Sequence, residues 1–245
     1  FRDSVKSLKE KGEVGTVRTE RDLSFKVVII GSLILVALIA LLPGNVIPGD
    51  TIVEKLLIGV LIIVFGFFFV TVASRIVGLV GSSNSPISGM TIATLMGTCL
   101  IFMAVGWSGK VYEPLALVVG GMICIAAANA GATSQDLKTG FIVGATPRFQ
   151  QLALFIGAIV SSVAIGFIVI LLDTPNQEMV AQGIKHAIGT EDYPAPQATL
   201  MATLNRGILS SNLDWQFVMV GVFIAVMIEL CGIKALAFAI GLYLP

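Results

Sequence analysis

The chain has 245 residues, 56% of them hydrophobic and 12% charged, and its 15 basic and 15 acidic side chains cancel. A water-soluble domain is about a quarter charged, so a solvated globule is excluded, and no broad basic surface is left for a nucleic-acid partner. The charge is also lopsided, with 12 charged side chains between Arg2 and Lys26 and long apolar runs after them.

Residues 1–24 read as a polar cytoplasmic head or linker. Phe1, Val5 and Leu8 have helical spacing, and Gly12 and Gly15 suggest a loop. The sequence opens at Phe1, without a signal-peptide pattern, and stops directly after an apolar run. It therefore reads as a piece of a longer protein whose remaining part is one of its partners.

Residues 25–245 read as a transmembrane domain truncated at its C-terminus. Six apolar stretches follow one another: 25–42, 52–80, 90–107, 115–133, 149–172 and 215–242. At a rise of about 1.5 Å per residue, each is long enough to cross a hydrocarbon core of roughly 30 Å. Backbone groups in lipid must pair within the chain, and the strict alternation of a barrel strand is missing. The expected fold is all-α, a polytopic transmembrane helical bundle of about six spans with broken or re-entrant segments. With the head inside and the spans alternating, ten Lys and Arg side chains fall on the inner side and four on the outer, with Lys234 in the last span. That is the positive-inside pattern.

Between the second and third stretches lies Gly-Ser-Ser-Asn-Ser-Pro-Ile-Ser-Gly, residues 81–89. Pro86 lacks a backbone donor, and a helix broken here exposes NH and carbonyl groups that can hold ions or polar solutes. Ser82, Ser83, Asn84, Ser85 and Pro86 are therefore candidate substrate-pathway residues. A tight surface turn explains the same residues.

Small residues crowd the fourth stretch, which permits close helix packing. The segment 134–151 follows, with Asp136, Lys138 and Arg148 at the inner ends of adjacent spans. These three are candidate gating residues, and positive-inside anchoring is the alternative. The segment lacks the Gly-Lys-Ser/Thr ending of a phosphate-binding loop. The connection 173–214 is long for a mere link, and its part from Pro194 onward is apolar enough to dip into the membrane. Gln197 and Thr199 there are further pathway candidates. His186, the single histidine, reads as a solvated loop residue.

Glu229 falls near the middle of the sixth stretch, where an ionisable group is costly and normally faces a partner or a wet cavity. It is the candidate proton-coupling residue; an interhelical structural contact is the other reading. Lys234, five residues on, is about 140° around the helix and poorly placed to pair with it. Cys99, Cys124 and Cys231 sit in apolar runs without metal spacing and read as buried thiols; no metal or cofactor is expected. Trp107, Trp215 and Tyr243 fall at span ends as interfacial anchors. No histidine lies in a span, and neither HExxH nor an intramembrane aspartate pair occurs, so an enzyme is not expected.

Four stretches, GSSNSPISGMTIATL (81–95), QDLKTGFIVGATPRFQQ (135–151), PAPQATLMA (194–202) and IELCGIKALAFAIGLYLP (228–245), resemble the oligopeptide transporter family in its prokaryote-type branch, related to the yellow-stripe-like transporters. TERDL (19–23) is similar to the family's linker before a hydrophobic block. The resemblance implies part of the C-terminal half of a proton-coupled secondary transporter of a bacterial or archaeal inner membrane. Its implied partners are a small peptide or a metal-chelate substrate, protons and the lipid bilayer. A passive channel for small polar solutes is the alternative, since it too uses broken helices.

Overall fold

The structure is a computed structural model that describes residues 17–44, 47, 51–83, 85–190, 193–210, 214–233, 235 and 238. The head up to residue 16, Asn84, Lys234 and the C-terminal end with Tyr243 lie outside the described residues. The described residues form helices and no strands, as the composition and run lengths require.

A 3-10 turn, Arg18–Glu20, leads to α1 (Phe25–Leu41), α2 (Ile52–Val80), α3 (Ile87–Ala104), α4 (Glu113–Ile142), α5 (Pro147–Asp173), α6 (Gln177–Ala181), α7 (Pro196–Leu209) and α8 (Trp215–Leu230). Helices α2 to α5 are long and apolar enough to cross a membrane; α1 and α8 are shorter apolar helices. The six apolar stretches thus all appear as helices. The boundaries follow local chemistry. Thr51 and Glu54 form a reciprocal capping box that starts α2. Gly81 ends α2 at φ +83°, a conformation side-chain-bearing residues avoid. Pro147 occupies the first turn of α5, where its missing N–H costs nothing.

The core is built around α4. Helix α2 packs most extensively on it, α3 next, and α1 lies on α2. Contact is close because small residues face large ones: a side-chain carbon on Gly120 would stand 2.6 Å from Leu95, and one on Gly131 would stand 2.9 Å from Val77. Ile58, Cys99, Phe102, Ala116, Val119 and Ile123 are buried where α2, α3 and α4 meet. Trp107 stacks on Tyr112 at 5.3 Å and meets Phe102 edge-on, so it closes the α3–α4 turn in addition to marking a span end.

Three expectations change. The fourth helix does not stop near Thr133: it runs on to Ile142, so Asp136 and Lys138 sit on helix and the connection shrinks to four residues. The chain from Ala126 to Ile142 contains no proline, and hydrophilic residues such as Gln135 and Lys138 are good helix formers, which polarity alone concealed. The sixth stretch breaks: α8 ends at Leu230, and Gly232 adopts φ +79°. The glycine places Glu229 at a helix end instead of mid-helix. Finally, Cys99 is buried and Cys124 partly so, but Cys231, beside that break, is exposed.

Candidate functional site

A groove of about 1000 Å³ lies between α4 and α5. Asn129, Thr133, Asp136 and Gly140 line one side at helical spacing, and Gln150, Leu154, Ala158 and Ser161 line the other. Asn129 lies 13 residues before the end of α4, so the groove reaches roughly 20 Å from the inner end. Its walls are mostly apolar with a few neutral polar groups and one carboxylate.

The tip is held by short bonds. Ala145 N–H donates to Gly140 O at 2.7 Å and Gln150 Nε2 to Asp136 O at 3.3 Å. The Gln150 amide lies flat against Gly140, where any side chain would overlap it. Gln150 Oε1 is enclosed against the helix and has no partner among the described residues. The Asp136 carboxylate is exposed on the same surface.

The other expected site residues fall elsewhere. Lys138 Nζ stands 5.5 Å from the centre of the Phe141 ring. Arg148 borders a second, smaller pocket with Arg18 and Arg21. No ion pair joins Asp136 to Lys138 or Arg148 among the described residues. Ser82, Ser83, Ser85 and Pro86 form the turn between α2 and α3, closed by Ser85 N–H to Ser82 O at 3.2 Å. They do not line the groove, although Ser85 Oγ is enclosed without a partner. Gln197 and Thr199 are exposed in the first turn of α7, and the Thr199 hydroxyl is occupied by Ala195 O at 3.0 Å.

The opposite end of α7 is the buried one. Asn205 is 1% exposed, accepts from Cys99 Sγ at 3.0 Å and donates to Glu113 O at 2.8 Å. Cys99 lies five residues before the end of α3, so α7 contacts that helix roughly 8 Å below its end. Glu229 Oε2 accepts the N–H of Ala235 at 2.9 Å across the break after α8. His186 Nδ1 is 2.7 Å from Asp173 Oδ2, which draws the loop after α5 back onto that helix.

Asn129, Thr133 and Gln150 did not stand out on a first reading. A signal exists: Asn129 is an amide inside an apolar run, and Thr133, Asp136 and Gly140 follow it at helical intervals.

A helical bundle with apolar outer faces and helices long enough to cross a membrane defines the class: an integral membrane protein of the polytopic helical type. The chain belongs to the OPT oligopeptide transporter family, whose profile matches residues 3–245. It is similar to a Haemophilus influenzae (strain ATCC 51907 / DSM 11121 / KW20 / Rd) protein named "Putative oligopeptide transporter", 31% identical over 275 aligned positions that cover 99% of this chain and 42% of that protein. The chain thus spans about two fifths of that relative's length. No solved structure matches it.

Proposed function

We propose that this chain is part of a secondary transporter that carries small oligopeptides across a bacterial inner membrane by proton-coupled alternating access. The observation that carries the peptide reading is the α4–α5 groove, where the exposed Asp136 carboxylate stands among the neutral polar groups of Asn129, Thr133 and Ser161. A short peptide supplies an ammonium group and backbone N–H donors to match them. Family membership supports the same reading.

Glu229 is the proposed proton carrier. Its carboxylate holds the Ala235 N–H across a helix break. Protonation weakens that charge-assisted bond and biases the break toward a second arrangement. Asp136, Lys138 and Arg148 are the proposed gate, and Ser82, Ser83, Asn84, Ser85, Pro86, Gln197 and Thr199 the proposed substrate-pathway residues.

Uptake of a labelled dipeptide into proteoliposomes, with an imposed inward acid gradient, tests the reading. Saturable accumulation driven by the gradient, lost in Glu229→Gln, is expected. Uptake that neither saturates nor accumulates identifies a passive pore. Accumulation of an iron–chelator complex but not of the dipeptide assigns metal chelates as cargo.

A further inference from the structure

We propose that the arginine pocket beside the first turn of α5 binds the phosphate headgroup of an anionic phospholipid. Arg18, Arg21 and Arg148 border a cavity of about 400 Å³, which the apolar side chains of Leu23, Val27 and Phe149 complete. The site shares Arg148 with the proposed gate but does not rest on a peptide being the cargo.

The pocket is built by two distant parts of the chain. Arg148 N–H donates to Arg21 O at 3.0 Å, Leu23 N–H to Gln151 Oε1 at 3.0 Å, and Arg18 Nη2 to Gly144 O at 2.6 Å. These bonds strap residues 18–23 across the start of α5 and hold the guanidinium groups of two separate segments on one cavity. Among the described residues of its wall, Asp22 is the one acidic side chain against three arginines.

The apolar walls decide between a lipid and a free anion. Phe25 begins α1 and Pro147 begins α5, so the pocket sits where both apolar helices start. Val27 and Phe149 are 48% and 70% exposed and continue onto the apolar outer faces of those helices. A diester headgroup can meet the guanidinium groups there while its acyl chains follow the helices. A free phosphate would use the arginines and leave the apolar walls wet.

The test follows the melting of detergent-purified protein titrated with short-chain phosphatidylglycerol, phosphatidylcholine of equal chain length, or inorganic phosphate. Phosphatidylglycerol alone is expected to raise the melting temperature. The double variant Arg21→Gln/Arg148→Gln should bind it about 25-fold more weakly, at roughly fivefold per arginine. Lys110→Gln, outside the pocket, should match the parent. An equal response to phosphatidylcholine, a full response to phosphate, or unchanged affinity in the double variant overturns the proposal. Should that variant fail to fold, the exposed Arg21→Gln alone is scored by native mass spectrometry. Retention of as much phosphatidylglycerol as the parent then overturns it, and loss of the bound lipid upholds it.

Discussion

The Cys99 thiol donates to Asn205 Oδ1 at 3.0 Å inside the bundle, and the Asn205 amide donates in turn to Glu113 O at 2.8 Å. One side chain of α7 thereby joins α3 to α4. Asn205→Ala removes both bonds and leaves the buried Cys99 thiol without its acceptor, while the Glu113 carbonyl keeps its bond within α4, at a cost of about 1–3 kcal/mol. The melting temperature in detergent should fall. Cys99, closed to aqueous maleimide in the parent, should become reactive. Unchanged melting and labelling would show that α7 is held by other contacts.

Adjacent glycines on α4 should respond in opposite ways. Gly120 faces Leu95 at a distance no side chain tolerates, while Gly121 has open space around it. Gly120→Val should therefore push α3 from α4 and cost about 1–3 kcal/mol. Gly121→Ala should be neutral or stabilise by up to about 1 kcal/mol, through helix propensity. Thermal unfolding of the two variants side by side checks this, and equal losses would contradict the packing of α3 on α4.

The helices were legible because a run of apolar residues long enough for a bilayer has few alternatives. Their interruptions were less so. Gly81 and Pro86 announced the break after α2, but Gly232 did not stand out, because Cys231, Ile233 and Ala235 around it are as apolar as the helix before them. Asp136 is one of three charges, with Lys138 and Arg148, that the sequence marks between two apolar stretches, but its setting is not legible there. The groove arises from how the α4 face meets α5 across a four-residue turn, and that meeting is a tertiary fact. Asn205 was missed because its partners, Cys99 and Glu113, are distant in sequence.

The Ser74 and Ser134 hydroxyls are 2.7 Å apart between α2 and α4. Ser134 Oγ already donates its proton to Ala130 O, so Ser74 is the donor of the pair. A double-mutant cycle with Ser74→Ala and Ser134→Ala should give a coupling of about 0.6 kcal/mol, the usual size for such a bond between membrane helices. Strict additivity would mean the two hydroxyls do not meet.

The groove makes a sharper demand. If the Asp136 carboxylate receives the ammonium group of a peptide, Asp136→Asn removes a charge-assisted bond of about 1.5–3 kcal/mol. The KM for a free dipeptide should then rise roughly 10- to 100-fold. The KM for the same dipeptide acetylated at its amino end should hardly move, because that ligand has no ammonium group for the carboxylate to hold. Gly140→Ala, which displaces the Gln150 amide, should weaken both substrates alike by disturbing an acceptor that an amide N–H can use. Uptake kinetics for the two substrates in proteoliposomes measure the four values. A rise in KM for both ligands in Asp136→Asn would remove the aspartate from amino-terminus recognition, and no change in Gly140→Ala would remove Gln150 from the site.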